Sequence, residues 1–246
     1  MSAIFPSDLS QEDFNRAARK AAAASPSRAE ADAAAAEFAE QLQQFAGPEG
    51  VLLDLCSGVF GEKLAPAAAD RAQAILQAVA SLELDAKREG SSLQAEAARS
   101  SLLGDWRLVF TDSEQTLKGG VSGIGGYPFC SSIAVMQRLS ENAPGAQCVE
   151  VVSLPLGVKN AVILKGMWKV DGDEEGSMLV CQYDATEVAG GGEMPPNVAA
   201  GAQNVVTAAT HLGPQVRIER ARNNAVFVWE RQATPIEQTT QALVGT

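Results

Sequence analysis

The chain of 246 residues has only one histidine, His211, and four widely separated cysteines. Zinc sites normally draw several ligands from histidine and closely spaced cysteine, so we expect no metal site. No Gly-x-Ser-x-Gly elbow presents a serine nucleophile. A pairing of His211 with a cysteine stays open, because such partners meet in space rather than in sequence. No pattern points to catalysis, and we expect a protein that is not an enzyme and has no catalytic residues.

Long apolar runs and an excess of positive charge are also lacking. No stretch reaches the ~18 consecutive apolar residues that a membrane-spanning helix requires, which predicts a soluble or peripheral protein. The formal net charge is −11 and no basic stripe occurs, so we expect no nucleic-acid partner. The N-terminus has neither an apolar signal core nor an Arg/Ser-rich transit segment. The chain is therefore expected to be cytosolic or already processed.

The cysteines lie in apolar contexts, at Cys56, Cys130, Cys148 and Cys181. Buried, reduced thiols are the usual state of such cysteines. A disulfide between two cysteines of the second half of the chain stays open, because sequence alone does not define pairing.

The second half of the chain has the pattern of an antiparallel β-structure. In residues 102–111, Trp106, Leu108 and Phe110 alternate with Arg107 and Val109, which predicts a strand with one buried face. Residues 216–220 and 225–231 predict a closing hairpin that pairs with it. Further strands are predicted by the residue patterns over 131–139, 148–154, 161–170, 178–183 and 205–210. Several short strands with polar or Gly-rich turns are typical of a sandwich or a barrel.

Two loops between these strands resemble ligand motifs only superficially. Residues 118–126 contain five glycines but lack the Gly-Lys-Ser/Thr of a phosphate loop, and no helix follows as a dinucleotide site requires. We interpret this segment as a flexible loop at the mouth of a barrel. The acidic residues of 171–176 lack calcium-loop spacing and predict a hairpin turn.

The first half of the chain favours helices. Capping residues predict helices over 13–24 and 28–46, and the second carries an apolar stripe whose members are candidate partner-docking residues: Phe38, Leu42 and Phe45. Another helix is predicted from Val51, and a further one after Pro66, where Ala72, Ile75, Val79 and Leu82 share one face. The predicted division is a helical docking arm (1–50), a helical lead (51–101), a β-barrel (102–232) and a C-terminal tail (233–246).

Three segments carry a resemblance to a known family. They are Leu52-Leu-Asp-Leu with Asp70-Arg71 and residues 75–83, then Leu103-Gly-Asp-Trp-Arg-Leu-Val-Phe-Thr111, then Val216-Arg-Ile-Glu-Arg with Ala225-Val-Phe-Val-Trp229. Together they resemble the helical lead, the first strand and the last hairpin of the plastid lipid-associated proteins, also called fibrillins or plastoglobulins. The resemblance covers residues 51–231.

This resemblance implies a mainly β fold, a lipocalin-like antiparallel β-barrel preceded by α-helices. It also implies a mature plastid protein without its transit peptide, located at plastoglobules or on the stromal side of thylakoids. The implied function is non-enzymatic binding of lipids or of isoprenoid or pigment-type hydrophobic molecules with peripheral membrane association. No cofactor is required, and the bound molecule is expected to be a lipid, a carotenoid, a chlorophyll or a quinone.

Independently of the resemblance, a barrel of roughly eight strands can hold one small apolar ligand. Our candidate lining residues are the large side chains expected on inward faces: Trp106, Phe110, Phe129, Met136, Trp168 and Tyr183. Whether they line a ligand or fill a core stays open, because an inward aromatic has the same sequence signal in both cases.

An alternative function is a structural linker subunit that is docked on a thylakoid photosynthetic complex and uses the barrel as a scaffold. The arm 1–50, which lies outside the resemblance, favours this alternative. An open cavity in the barrel would favour the carrier, and a filled interior would favour the scaffold.

Overall fold

Nine strands form one antiparallel sheet in the part of the chain that the computed structural model describes, namely residues 47–89, 96–173, 176–189, 193–194 and 204–245. The strands are β1 (Gly104–Thr111), β2 (Ser131–Leu139), β3 (Ala146–Ser153), β4 (Lys159–Asp173), β5 (Gly176–Val188), β6 (Glu193–Met194), β7 (Asn204–Leu212), β8 (Val216–Ala221) and β9 (Val226–Arg231). The eight longer strands were anticipated by their sequence patterns, whereas the short β6 was not.

Eight of these strands close into a ring, which we call the closed sheet. Their order is β4-β3-β2-β1-β9-β8-β7-β5, and β5 pairs again with β4, while β6 is added to β5 outside the ring. The predicted pairing of the first strand with the closing hairpin is present, with Trp106 opposite Arg231. The predicted mainly β, antiparallel fold preceded by helices is therefore confirmed.

The antiparallel pairing sorts the strand ends into two groups. Thr111 of β1 lies opposite Phe227 near the start of β9, and Ser131 at the start of β2 lies opposite Ser153 at the end of β3. The same alternation holds around the ring, so the ends of β1, β3, β5 and β8 lie beside the starts of β2, β4, β7 and β9. We call this end of the closed sheet the mouth end.

Within the described residues, five α-helices accompany the sheet: α1 (47–56), α2 (Ala69–Arg88), α3 (Glu96–Leu102), α4 (Glu114–Gly119) and α5 (Ile236–Val244). The side-chain oxygen of Ser113 caps α4 by accepting a hydrogen bond from the amide of Thr116. Helix α5 falls in the segment that was predicted only as a tail. The predicted helices 13–24 and 28–46 lie outside the described residues, as do Phe38, Leu42 and Phe45.

Helices α1 and α2 cover the outer face of β8, β9 and β1. Ile75, Val79 and Leu82 of α2 form one buried cluster with Val216 and Ile218 of β8. Ile75, Val79 and Leu82 are three of the four α2 positions that the helical pattern in the sequence assigned to one face. The guanidinium of Arg220 on β8 fixes the helix further, because it donates two hydrogen bonds, of 2.6 and 2.8 Å, to the Glu83 carboxylate.

The C-terminal helix α5 covers the outer face of β2, β3 and β4. Ile236 is buried there in a cluster that includes Met136 and Val149. Arg138 forms ion pairs with both Asp105 and Glu237, and Asp105 also accepts a hydrogen bond of 2.9 Å from the Ile236 amide. The closed sheet thus has buried apolar clusters on two parts of its outer face as well as inside the ring.

Candidate ligand-binding site

The closed sheet encloses a cavity of about 710 Å³ at its mouth end. This volume lies within the range of about 300–1,000 Å³ that is typical of small-molecule sites. Its wall combines apolar side chains such as Leu179, Val205 and Phe227 with polar ones such as Thr207 and Glu219. The interior is therefore not completely filled by side chains.

The glycine-rich segment forms part of the cavity mouth. Gly119, Gly120, Val121 and Gly123 line the cavity together with Thr116 of α4. Across the opening lie the last residue of β8 and the start of the β8–β9 turn, with Ala221, Arg222 and Asn223. The predicted location of this loop at a barrel mouth is thus found in the structure.

A buried carboxylate anchors the mouth loop. Glu150 of β3 is 0% exposed, and its Oε2 accepts hydrogen bonds from the backbone amides of Val121 (3.0 Å) and Ser122 (2.6 Å). Its Oε1 accepts a hydrogen bond from the hydroxyl of Ser132. Three hydrogen bonds compensate for the burial of the charge. Glu150 therefore holds the loop at a defined position over the cavity.

Deeper in the cavity lies a group of polar side chains that we call the inner polar cluster: Gln137, Tyr183, Arg217, Glu219 and Trp229. The amide nitrogen of Gln137 donates to the Tyr183 hydroxyl at 3.1 Å, and its amide oxygen accepts a hydrogen bond from Arg217. The Trp229 indole donates to Oε2 of Glu219 at 3.2 Å. Gln137, Tyr183, Glu219 and Trp229 also line the cavity wall.

Arg217 and Glu219 form a buried ion pair that is incompletely hydrogen-bonded. Arg217 is 0% exposed, and its guanidinium lies between the rings of Trp106 and Trp229, 4.8 and 5.0 Å from their centroids. Its Nε lies 3.1 Å from Oε1 of Glu219, but the N–H···O angle is too far from linear for a hydrogen bond. Within the described part of the chain, Nε and Nη1 of Arg217 and Oε1 of Glu219 have no hydrogen-bond partner.

The titratable groups around the cluster are held in their neutral forms. Burial raises the pKa of the Cys181 thiol to about 12, and burial likewise raises the pKa of Cys148 and that of Tyr183 well above their ordinary values. All four cysteines are free, and Cys56, Cys148 and Cys181 are buried. The two thiols in the cavity wall are therefore protonated at neutral pH, unlike reactive cysteines, whose pKa is lowered.

The structure brings only one of the six predicted lining residues to the cavity wall, namely Tyr183. Trp106 is buried in the same interior core, where its ring contacts Arg217 and its indole donates to the Leu102 carbonyl at 2.9 Å. Trp168 packs on that core and lines a separate cavity of about 310 Å³ away from the mouth end. Contact of any of the six with a ligand stays a prediction.

The other three predicted lining residues point away from the interior. Phe129 is 88% exposed, and Met136 is buried in the outer cluster under α5. Phe110 packs under α1 and α2 in the other outer cluster. The alternation from Trp106 to Phe110 breaks because the register with β9 shifts between Leu108 and Phe110. Such a bulge adds one residue to the strand and turns the following side chain to the opposite face.

Sequence reasoning missed Arg217, Glu219 and Gln137 because it assigned apolar side chains to the interior. In β8 the apolar residues Val216 and Ile218 face the helices, so the alternating Arg217 and Glu219 point into the ring. The alternation itself was visible in the sequence. It did not indicate which face is the interior, because a helix layer buries the other face.

Exposed apolar side chains are concentrated at the mouth end. Of six large apolar residues that are exposed in the described part of the chain, four lie in the loop before β2 and around the turn between β3 and β4: Tyr127, Phe129, Leu156 and Val158. We call these four the apolar rim. Phe129 and Leu156 are 88% and 101% exposed and have φ angles of 64° and 68°. A positive φ is unfavourable for bulky residues and often accompanies function.

A metal centre finds no support in the described residues. They hold no group of three or more His, Cys, Asp or Glu side chains arranged for a metal ion. None of the helices in this part of the chain combines the length and the apolar character needed to cross a bilayer. No protein-family model and no curated protein matches this chain, so the resemblance to the plastid lipid-associated proteins rests on the sequence motifs.

Proposed function

We propose that the protein is a non-enzymatic binding protein for one small hydrophobic molecule, held in the cavity of the closed sheet. The observation that carries this proposal is the cavity of about 710 Å³, whose wall combines apolar side chains with polar ones and includes α4 and the glycine-rich loop. The resemblance stated above supports a lipid, carotenoid, chlorophyll or quinone as the bound molecule. It also supports a plastid location at thylakoids or plastoglobules.

The cavity favours this function over the alternative of a scaffold subunit docked on a photosynthetic complex. A scaffold requires no interior space, and side chains can fill an eight-stranded ring completely. The interior core includes Leu164 and Trp106, and some of its members, such as Leu108 and Leu179, also form the cavity wall, so space remains beside the packed side chains. The space costs stability because its walls lack packing partners, which is an expected cost in a protein that accepts a ligand.

The test is to incubate the purified full-length protein with a thylakoid lipid and pigment extract, to repurify it by gel filtration, and to record its native mass spectrum. We expect one extra mass per chain, released by organic solvent. Thr207 is 3% exposed and lines the cavity, so Thr207→Phe should place a ring inside the cavity, obstruct the bound molecule and lower the fraction of protein that carries the extra mass. The matched control Met167→Phe adds a ring at a position that is 60% exposed and lies outside the cavity lining. An unmodified mass for the wild-type protein would refute the proposal.

We propose further that the apolar rim contacts a lipid surface from which the ligand is exchanged. A water-insoluble ligand must reach the cavity without crossing much water, and the rim lies at the end of the closed sheet where the cavity opens. Phe129 and Leu156 keep large apolar side chains at positive φ, where glycine would fold with less strain. Full exposure and local strain together indicate a contact function rather than a packing one.

Vesicle flotation with thylakoid galactolipids tests this surface. Phe129→Gly and Leu156→Gly should each lower vesicle partitioning by about tenfold or more, since burying such a side chain stabilises binding by about 1.5–3 kcal/mol. Neither change should lower folding stability, because glycine tolerates positive φ. Leu84→Gly is unsuitable as a control because glycine would destabilise helix α2. The control is therefore Met167→Ser, on β4 outside the rim. If the wild-type protein does not partition to the vesicles, the proposed lipid contact is refuted, and a protein partner would be the alternative occupant of the rim.

A further inference from the structure

The inner polar cluster has hydrogen-bonding capacity that the described residues do not satisfy. Oε1 of Glu219 accepts no hydrogen bond in the described part of the chain, while Oε2 of the same carboxylate accepts one from Trp229. Glu219 is 2% exposed and lines the cavity. A buried carboxylate oxygen without a donor is costly. Nε and Nη1 of Arg217, beside it, are donors without acceptors.

We infer that the cavity selects an apolar molecule that carries a hydroxyl group, and that Glu219 is the residue that accepts the hydroxyl proton in a hydrogen bond. This inference rests on the proposed function and names the chemical class of its ligand. A hydroxyl is a hydrogen-bond donor, so it can donate to the Glu219 carboxylate, which lines the cavity, whereas Arg217 pairs with that carboxylate without lining the cavity itself. Its apolar remainder would lie along Leu179, Val205 and Phe227 towards the mouth.

The charges in the cluster disfavour ionised head groups. Arg217 and Glu219 form an ion pair, so the pair contributes no net charge to the inner wall. A carboxylate or an ammonium group would lose its hydration in this buried site, and a pair without net charge offers no excess of opposite charge to compensate for that loss. Three further titratable groups of the wall, Cys148, Cys181 and Tyr183, are neutral because burial raises the pKa of each, and the charged Arg222 lines the cavity at its mouth, away from the cluster. A neutral group that donates a hydrogen bond fits this environment.

The experiment is a competition between three probes with the same chain: geranylgeraniol, its methyl ether and geranylgeranoic acid. Equal amounts are mixed with the full-length protein, and native mass spectrometry measures the ratio of the complexes. The ether keeps the oxygen acceptor but loses the donor. A hydrogen bond to a charged group favours the alcohol over the ether by about ten- to hundredfold. We expect that preference, with the acid bound more weakly than the alcohol.

Two variants and one control assign the preference to Glu219. Removal of Glu219 alone leaves the buried Arg217 charge unpaired, so the first variant replaces both, as Arg217→Met with Glu219→Leu, which preserves approximate volume. The second, Glu219→Gln, keeps an oxygen without the charge. We expect the alcohol-to-ether ratio to fall to about one in the double variant and to an intermediate value in Glu219→Gln. The control replaces the ion pair of Arg220 and Glu83, which lies outside the cavity wall, as Arg220→Met with Glu83→Leu and should leave the ratio unchanged.

Each remaining outcome overturns the inference. Equal binding of alcohol and ether, or a preference that survives in the double variant, removes the role of Glu219 but leaves the proposed function intact. Stronger binding of the acid than of the alcohol would contradict the acceptor role of Glu219, because an ionised carboxylate has no proton to donate. If none of the three probes binds and the thylakoid extract yields no bound mass, the proposed function fails together with the inference.

Discussion

A single methyl group at Gly120 should release the mouth loop from its anchor. Gly120 has a φ of +68°, and a Cβ atom there would lie far inside the 3.0 Å limit of real Cβ contacts, against the Glu150 carboxylate and the Ser132 hydroxyl. Gly123, three residues later in the same loop, has a φ of +81° and nothing within 4 Å of its Cβ position. Gly123 has a ψ of −10°, the left-handed helical conformation, whereas Gly120 has a ψ of −163°, a region that is open essentially only to glycine. The two glycines therefore differ in backbone strain as well as in the contact with Glu150, and both differences make Gly120→Ala the more costly change.

The expected magnitudes follow from that difference. Alanine at positive φ costs roughly 1–2 kcal/mol, which is the whole expected effect of Gly123→Ala. Gly120→Ala also displaces a buried carboxylate from its three hydrogen-bond donors, and an unsatisfied buried group costs about 1–3 kcal/mol or more. The free energy of unfolding should therefore fall by about 2–5 kcal/mol in Gly120→Ala, and by more than in Gly123→Ala.

Urea unfolding followed by circular dichroism measures both variants on one scale. With a slope of about 1–3 kcal/mol per molar urea, the midpoint of Gly120→Ala should fall by about 1 M or more relative to the wild type. Binding of the hydrophobic ligand should weaken in Gly120→Ala as well, because Gly120 and Val121 line the cavity. Equal losses of stability in the two variants would show that the contact with Glu150 is unimportant and would refute this reasoning.

Three further predictions concern groups away from the loop. Burial alone would raise the pKa of Glu49, but hydrogen bonds from His211 and from two backbone amides lower it below its ordinary value of 4.5. The contribution of Glu49 to folding stability is therefore present above about pH 4.5 and is lost as the pH falls below that value. When urea midpoints are measured as a function of pH, the decrease at acid pH should be less steep in Glu49→Gln than in the wild type. Trp106 is 0% exposed, and Trp106→Ala should lower the free energy of unfolding by about 3–5 kcal/mol; an unchanged melting temperature would contradict its burial. The Cys181 thiol is buried and its pKa is raised to about 12. A thiol reagent should therefore label the half-buried Cys130 in the native protein but label Cys181 only after unfolding. Rapid labelling of Cys181 in the native protein would contradict the structure.

Much of the fold was predictable because its signals are local. A period of two identified eight strands, and the predicted span of residues 131–139 agrees with β2 (Ser131–Leu139). The stripe of Ile75, Val79 and Leu82 identified the buried face of α2. The short β6 was missed because two residues carry no periodicity. Helix α5 was missed because the segment after Pro235 combines polar residues with few apolar ones, and its burial depends on β2, β3 and β4.

The interior of the site was less predictable because both faces of several strands are buried. On β8 the helices take Val216 and Ile218, and the polar partners Arg217 and Glu219 occupy the inside. On β1 a bulge reverses the side on which Phe110 lies. Neither the helix layer nor the bulge has a signal in the strand itself. The glycine-rich loop was placed correctly because glycine content and position between strands are local features.

A crystal structure of the full-length protein after incubation with the thylakoid lipid and pigment extract would test the binding function at atomic level. We expect continuous electron density for one elongated molecule between the glycine-rich loop and the inner polar cluster, with an oxygen atom within hydrogen-bond distance of the Glu219 carboxylate. The space that this molecule should occupy is the cavity of about 710 Å³. Density for ordered water alone in that space, with the loop unchanged, would contradict the binding of a hydrophobic ligand.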